Sequence, residues 1–406
     1  MRPSSCAGSS QRPPTGRSHE IVNASKPMTT AEHFLVRGIG AVSPAGWGVL
    51  PLREALAKGE PLPLRELARP GWPRPLRVRT VPPPSPRPDF LAHARLRRTS
   101  PITQYAVAAA LEALGADAAR VSSGSMRLGI VVCVMTGCVN YSRRFYDETL
   151  SDPATASPLV FPETVFNAPA SHLGALLGTA AVNYTLVGDP GTFLQGLALA
   201  ADWLSSGRAE GCVVVGAEEI DWLSADACRL FERRIILSEG AGAVYLRPLD
   251  RPVEKGNHRE TPARSHASTA TGMDLPAPVI AGSGPKPPAV QLHSITEPQL
   301  FLQRQSRAQA AKRMRAQLPA GQPEHLLCDG TQGLRGVDAD EQEPWRDWPG
   351  SRVSPKRILG EGLAAASAWQ CVAALDAVFQ RQHPAATVSV VGSNEQAIGA
   401  HFVVRD

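Results

Sequence analysis

The hydrophobic pattern predicts strands alternating with helices along most of the chain. Short runs rich in Val and Ile, bounded by Gly, Pro or Asp, are typical of buried strands, whereas apolar residues recurring every three or four positions are typical of helices. The predicted strands are 34–40, 128–134, 182–187, 212–216, 240–249, 278–281, 290–295, 325–328, 387–391 and 398–404. One predicted helix begins at Ser100, and the others cover 141–150, 161–178, 192–204, 302–318 and 360–380. Such alternation in two halves predicts stacked α/β layers with largely parallel sheets.

The clearest pattern is a strand, a tight turn and a helix within residues 181–207. The apolar run 182–187 predicts a buried strand, Gly188–Gly191 predicts a turn, and Ser205–Gly207 ends the helix that follows. A strand that feeds a helix in this way holds a side chain at the helix N-terminus, where free N–H groups favour negative charge. Enzymes place nucleophiles at such an elbow, but this elbow carries Asp189 and Pro190.

Three segments interrupt the pattern and define the predicted domains. Residues 1–27 are rich in Ser, Pro and Arg and are predicted to be unfolded, so that Met28 could be the true start. Residues 62–90 hold many Pro and Arg residues and predict an irregular surface excursion, which follows a short strand ending in a Gly turn at Gly40. The predicted division is a disordered extension, 1–32; a first half, 33–249; a linker or insertion, 250–277; and a second half, 278–406.

Composition narrows the classes of protein that the chain can represent. Its 406 residues are 43% hydrophobic and 19% charged, which is ordinary for a globular protein with a sizeable core. The net charge of +5 forms no compact basic stripe, so nucleic-acid binding is not expected, although mild attraction to an acidic protein is. No apolar run reaches the roughly 18 residues of a membrane span, and no signal peptide opens the chain. Seven widely spaced Cys residues without a C-x-x-C motif predict reduced, mostly buried thiols in a cytoplasmic protein.

The order and spacing of several short stretches resemble β-ketoacyl-acyl-carrier-protein synthases of the thiolase fold. These stretches are 38–46, 167–171, 183–207, 213–218, 238–242 and 356–362. The resemblance implies an α/β fold of five alternating αβαβα layers, built from two related halves. It also implies a two-fold dimer in which the strand 182–187 pairs across the axis.

The chain departs from this family at each catalytic position. The family's elbow Cys corresponds to Pro190, or to Asp189 if the alignment slips by one residue; the first His corresponds to Asp329; and the second His, five residues after Lys356, corresponds to Glu361. The family's closing glycine-rich turn is Gly392-Ser-Asn-Glu here. Condensation needs a thiolate, which Pro190 cannot supply, and Pro190 also lacks the N–H that would help to form an oxyanion hole. Ionised Asp and Glu accept hydrogen bonds, so they would repel a developing enolate.

The replaced positions allow more than one interpretation. The elbow could be a relic in which Asp189 caps the helix, or a site adapted to another reaction. If the fold is as implied, Asp189, Asp329 and Glu361 converge, and three acids could hold a cation or share a proton. No oxygen-ligand loop surrounds them, so neither a metal nor a cofactor is expected. Lys356, which orients the second His in the family, is expected to form a structural ion pair with Glu361.

Three other features are functional candidates. Cys138 lies near a loop that borders the acyl tunnel in the family, but lone cysteines are mostly core residues. His172 is expected to be a hydrogen-bonded core or interface residue. The basic face of helix 302–318 is expected to be solvated, with contact to an acidic carrier protein as the alternative.

These observations lead to a hypothesis with two alternatives. The chain is expected to be a non-catalytic partner of an active ketosynthase, resembling a chain-length factor of fatty acid or polyketide biosynthesis (aryl-polyene type included), and to act with an acyl carrier protein. In that case Asp189, Pro190, Asp329, Lys356 and Glu361 are vestigial positions, and no catalytic residue is expected. One alternative is a thiolase-fold acyltransferase or hydrolase that uses the acids. The other is an active ketosynthase whose catalytic positions lie elsewhere in the alignment, so enzymatic activity is left open.

Overall fold

The computed structural model describes residues 29–30, 34–249, 288–393 and 395–405. Its strands are β1 Thr29–Thr30, β2 Phe34–Ser43, β3 Gly46–Trp47, β4 Arg65–Leu67, β5 Leu76–Arg79, β6 Leu128–Val134, β7 Asn183–Val187, β8 Gly211–Glu218, β9 Leu237–Ser238, β10 Gly240–Pro248, β11 Ala289–Ile295, β12 Gln299–Leu300, β13 Leu326–Cys328, β14 Ser351–Val353, β15 Ala385–Val391 and β16 Gln396–Arg405. Its α-helices are α1 Val49–Lys58, α2 Pro101–Leu114, α3 Asp117–Ser122, α4 Val139–Ser151, α5 Ala168–Leu176, α6 Thr192–Ser205, α7 Trp222–Phe231, α8 Arg304–Arg315, α9 Arg335–Gln342, α10 Pro355–Leu359 and α11 Ala364–Phe379. The predicted linker 250–277, the predicted strand 278–281 and Met28 lie outside the described residues.

Strand order repeats between the two halves of the chain. The main sheet runs β14-β13-β15-β16-β11-β2-β10-β8-β6-β7. The five main strands of each half can be numbered by their order in the chain. Read from the outer edge of the sheet to its centre, both halves then have the order third, second, fourth, fifth and first. This repetition is what two related halves require, while the boundaries 33–249 and 278–406 remain predictions.

The prediction of largely parallel sheets was wrong for the centre of the sheet. Only the outer pairs are parallel: β6 with β7 and β8, and β13 with β14 and β15. From β8 through β10, β2, β11 and β16 to β15, every neighbouring pair is antiparallel. The hydrophobic pattern misses this because strands buried on both faces are equally apolar in either direction.

Helices cover the sheet in layers that match the predicted five. Helices α6 and α11 lie in the middle layer, where α11 contacts β8 and β10 of the first half and β13 and β15 of the second. Helices α2 and α5 cover the outer face of the first half, and α8 covers the outer face of the second. The buried apolar residues accordingly form one large central cluster and a separate cluster under each outer layer. No helix in the described part of the chain is long and apolar enough to cross a bilayer.

Several local predictions need correction. The first strand does not end in a Gly turn at Gly40 but continues to Ser43. Its glycines lie inside the strand, where a Cβ at Gly38 or Gly40 would collide with the backbone of α2. The 62–90 segment is not wholly irregular, since β4 and β5 form a small sheet with β9 and bury Leu76 and Val78. The predicted helix 161–178 is a single turn at 161–163 followed by α5, and Thr29–Thr30, within the predicted unfolded extension, pairs with β11.

The strand that precedes the elbow is exposed, contrary to the prediction that it is buried. β7 pairs only with β6 among the described strands, so it forms an edge of the main sheet. Tyr184 and Val187 are 50% and 54% exposed. A run of apolar residues on an unpaired edge is the usual signature of a strand that pairs with another chain.

Candidate functional site

The elbow joins β7 to α6 as predicted, and it holds no nucleophile at the expected position. The backbone N–H of Thr192 donates to the Asp189 carbonyl at 2.9 Å, which closes the turn into the helix. Pro190 is buried, and its carbonyl accepts a 2.6 Å hydrogen bond from the Ser367 hydroxyl of α11. Pro190 therefore connects the two central helices and offers neither a reactive atom nor an N–H group.

The contacts of Asp189 are internal hydrogen bonds. It is 1% exposed, and its carboxylate accepts hydrogen bonds from Gly191 N at 2.9 Å and Gln396 Nε2 at 2.7 Å. It does not cap α6 in the expected way, because Gly191 is itself the residue that precedes the first helical position. Burial raises the pKa of the Asp189 carboxyl to about 6, and the neighbouring Glu395 adds to the rise. These contacts tie the elbow to the turn between β15 and β16.

Asp329 follows β13 and is fully engaged by its own loop. Its Oδ1 accepts hydrogen bonds from the Thr331 N–H at 3.1 Å, the Thr331 hydroxyl at 2.8 Å and the Ser354 hydroxyl at 2.6 Å. The side chain is buried. Where the resemblance implies a His that donates to substrate, this chain has an acceptor whose Oδ1 is already bonded to three neighbouring donors.

Lys356 and Glu361 form the expected ion pair. Lys356 Nζ lies 2.8 Å from Glu361 Oε2, and the two side chains are only 4% and 5% exposed. The same carboxylate accepts hydrogen bonds from Gln332 Nε2 and from Leu363 N, each at 2.8 Å. Glu361 therefore holds together the loop after β13, α10 and the start of α11.

Sequence reasoning missed two buried charges behind these loops. Glu341 of α9 accepts a 2.8 Å hydrogen bond from Gly330 N, and burial, together with the charge of Asp329, raises its pKa to about 7. Arg307 belongs to the α8 face that was expected to be solvated, yet it is 5% exposed and donates to the carbonyls of Gly392 and Val391. Neither residue stands in a recognisable motif, so the sequence carried no signal for either.

Each of the three acids has hydrogen-bond partners of its own. Asp189 is bonded to Gln396, Asp329 to Ser354, and Glu361 to Lys356. Across the described ranges, no three His, Cys, Asp or Glu side chains are placed to hold a metal ion. A shared cation or proton among these acids is therefore not supported.

The other candidates have structural surroundings. Cys138 is 1% exposed, and burial raises the pKa of its thiol well above the ordinary value, so it cannot supply a thiolate at neutral pH. His172 is hydrogen-bonded as expected, with Nε2 2.9 Å from Glu163 Oε1. The six described cysteines are all free, and five of them are buried.

Comparison with solved structures decides the fold. A ketosynthase/chain length factor for ishigamide superposes with a TM-score of 0.68 at 20% identity, covering 92% of this chain and 100% of that one. This chain has the ketosynthase fold. A type II polyketide synthase acyl-carrier protein in complex with its ketosynthase bound to the hexaketide gives a TM-score of 0.67 at 14% identity, with coverages of 92% and 100%. A β-ketoacyl synthase from Burkholderia phymatum gives 0.65 at 13% identity, with the same coverages.

These identities are low, so the likeness is one of fold. No protein-family model matches the sequence, and no curated protein matches it. The ketosynthase fold confirms the predicted thiolase-like architecture of two related halves.

Proposed function

We propose that this chain is a non-catalytic, chain-length-factor-like subunit that pairs with an active ketosynthase and acts with an acyl carrier protein. The observation that carries the proposal is the elbow, where the ketosynthase fold would present a nucleophile and this chain has the buried Pro190. Asp329 and Glu361, at the two expected His positions, are occupied by internal contacts. A pathway of fatty acid, polyketide or aryl-polyene type and a cytoplasmic location belong to the same proposal.

The exposed edge supports the pairing part of the proposal. In the parallel β6–β7 ladder, Ile130 N donates to the Val182 carbonyl and Gly188 N donates to the Val134 carbonyl. Since successive backbone groups alternate in direction, the N–H and C=O groups of Asn183, Thr185 and Val187 face away from β6. An antiparallel partner strand would complete these bonds and cover the apolar side chains.

Further apolar surface lies on the segments that lead to this edge. Helix α5 packs against β7, and the preceding segments, α4 and 161–166, expose Tyr146, Leu150 and Phe161, each by more than half. Large exposed apolar patches on a folded protein commonly mark a contact with another protein. Chain-length factor and acyl-carrier protein appear in the names of two structures with this fold, which makes a second ketosynthase-fold chain the natural partner.

Proline substitution on the edge strand tests the pairing. Thr185→Pro removes one outward N–H and leaves the β6–β7 bonds intact, since proline is tolerated on strand edges. Co-expressed with an active ketosynthase, the wild-type chain should elute with it as a heterodimer by gel filtration with light scattering, and Thr185→Pro should largely abolish the complex.

The opposite edge of the sheet provides a matched control. Asp329 N donates to the Val353 carbonyl, so the N–H of the neighbouring Arg352 on β14 also faces outward. Arg352→Pro should therefore leave the heterodimer intact. Equal loss of the complex in both variants, or a stable wild-type homodimer that elongates acyl chains by itself, would refute the proposed role.

The enzymatic alternative rests on the buried Asp189 with its raised pKa. Asp189→Asn, Asp329→Asn and Glu361→Gln preserve size while removing charge. With the partner present, each variant that folds should keep the output of the pathway if this chain is non-catalytic. Loss of output in a variant that still forms the heterodimer would favour an acid-dependent reaction in this chain.

A further inference from the structure

Helix α7 carries apolar side chains on its outer face as well as on its inner one. The inner face packs against β5, where Ala225 belongs to a small apolar cluster. On the outer face, Leu223, Leu230 and Phe231 are 51%, 85% and 69% exposed. Leu223 and Leu230 stand seven positions apart, so they lie along one line of the helix, and Phe231 lies beside them. A helix that packs only on its own domain has a polar outer face, so this apolar stripe needs another explanation.

A tryptophan from the neighbouring hairpin extends the stripe. Trp72 follows β4 and is 60% exposed. Its ring centre lies 3.7 Å from Cζ of Arg69, whose guanidinium is also ion-paired with Asp226 of α7. Asp226 stands three residues after Leu223 and four before Leu230, so these contacts bring Trp72 next to the stripe. We call the following four residues the α7 patch: Trp72, Leu223, Leu230 and Phe231.

The charged side chains around the α7 patch leave an excess of positive charge. Two acidic residues close to it are paired, Asp226 as described and Glu232 with Arg234 at 3.3 Å. Arg229 and Arg233 are exposed, and within the described residues neither guanidinium forms an ion pair. Within that part of the chain, the α7 patch is therefore flanked by two arginines without a counter-charge.

We propose that the α7 patch is a docking surface for an anionic lipid bilayer. Trp, Phe and Leu on one face with Arg beside them are typical of helices that lie in the membrane interface and bury their apolar face at the boundary of headgroups and acyl chains. Anionic headgroups supply the counter-charge that Arg229 and Arg233 lack, and each basic residue near such a surface strengthens binding. The helix would lie on the membrane and not cross it, and no described helix is long and apolar enough to cross one.

A bilayer fits this surface better than a second protein does. Protein–protein interfaces are packed as densely as protein interiors, so a protein partner would need a separate cavity for each protruding side chain. Leu230 protrudes near the end of α7 and Trp72 comes from a different segment, whereas fluid acyl chains accommodate both without a preformed shape. The α7 patch also includes no residue of β7, the edge that we propose for pairing with a ketosynthase.

Co-sedimentation of the full chain with lipid vesicles tests the surface. The wild-type chain should bind vesicles that contain phosphatidylglycerol at least about tenfold more tightly than vesicles of pure phosphatidylcholine, because only the former attract its arginines. Leu223→Asp should weaken binding to the anionic vesicles by at least about tenfold, since it removes an inserted apolar group and adds a repelled charge. Leu50→Asp is the matched control, because Leu50 is 52% exposed on a different helix, α1, and this variant should bind like the wild type.

A charge variant tests the arginines separately. Arg229→Glu changes an exposed residue, so the chain should fold as before, with the same circular dichroism as the wild type. It should bind the anionic vesicles more weakly, and its remaining binding should depend less on salt, because fewer charge interactions are left to screen.

Tryptophan quenching locates the inserted surface. All seven tryptophans lie within the described residues, and Trp72 is the exposed one. Lipids with brominated acyl chains should therefore quench the fluorescence of the bound wild-type chain. Trp72→Phe keeps an aromatic ring for binding and should lose most of that quenching.

Several results would overturn the assignment. They are an absence of wild-type binding to the anionic vesicles, equal binding by folded Leu223→Asp and the wild type, and quenching that persists in Trp72→Phe. Acyl carrier protein that binds the wild type but not Leu223→Asp, when vesicles do not retain the wild type, would instead assign the α7 patch to an acidic protein.

Discussion

At the scale of single residues, the elbow and the loops beside it are held together by buried polar contacts. Pro190 accepts a hydrogen bond from Ser367, and Glu361 neutralises Lys356 inside the protein. The sequence predicted that Lys356 and Glu361 pair, which the structure confirms, while the correspondence of Pro190, Asp329 and Glu361 to catalytic positions stays a prediction. It could not predict the partners of Asp189, because Gln396 lies 207 residues further along the chain.

Replacing one partner of the buried ion pair should destabilise the protein more than replacing both. Lys356→Met leaves Glu361 buried without its counter-charge and should lower the free energy of unfolding by about 3 kcal/mol. The double variant Lys356→Met/Glu361→Gln removes both charges and should recover at least half of that loss. Urea unfolding at pH 7 measures both values, and a double variant less stable than Lys356→Met would contradict this account.

Buried carboxyls also predict how stability depends on pH. Burial raises the pKa of Glu218 and of Glu341 to about 7, whereas an unfolded Glu titrates near about 4.3. The native state therefore binds more protons than the unfolded state between these values, and stability falls as pH rises through 7. His401 has the opposite effect on stability. Its native pKa is about 3, so the unfolded state binds the proton more readily and stability rises with pH, but this rise is nearly complete at pH 6.5.

The urea midpoint should accordingly drop between pH 6.5 and 8. Glu341→Gln keeps an oxygen acceptor for Gly330 but cannot ionise, so it should reduce that drop substantially. A wild-type midpoint that rises over this interval would show that these carboxyls are already ionised in the native protein.

At the scale of elements, hydrophobic periodicity predicted the bounds of some helices and strands correctly. It did not predict which strands are neighbours or how exposed a strand is. β6 was predicted to the residue, and α6 to within one residue at its end. The exposure of β7 was not predicted, because an apolar run looks the same at a sheet edge as in its centre. The local pattern reports what a strand can bury, while its neighbours are set by contacts distant in sequence.

Close packing between α11 and the sheet depends on a glycine. A Cβ on Gly242 would lie 2.8 Å from the Cβ of Ala368, within the long central helix. Gly242→Ala should therefore cost about 1–3 kcal/mol of stability, as overpacking of a core does. Gly174→Ala in α5 is the control, since its Cβ would meet only atoms at 3.8 Å, and it should be neutral or stabilising by up to about 1 kcal/mol. Equal thermal melting of the two variants would contradict this packing argument.

At the scale of the whole molecule, two features lie beyond local pattern. The antiparallel centre of the sheet joins strands such as β2 and β11, which are separated by more than 240 residues. Ring contacts likewise join His401 to His293 and to His325, three residues spread over more than a hundred positions. The layered, two-part architecture was predictable because motif order and spacing are properties of the entire chain.

A non-catalytic subunit of this kind would support carbon–carbon bond formation without carrying the acyl group. The most direct test is intact-protein mass spectrometry of the co-purified pair after loading from an acyl-acyl carrier protein. An acyl adduct is expected on the partner ketosynthase and none on this chain. An acyl adduct on this chain, retained when the partner's catalytic cysteine is replaced by alanine, would contradict it.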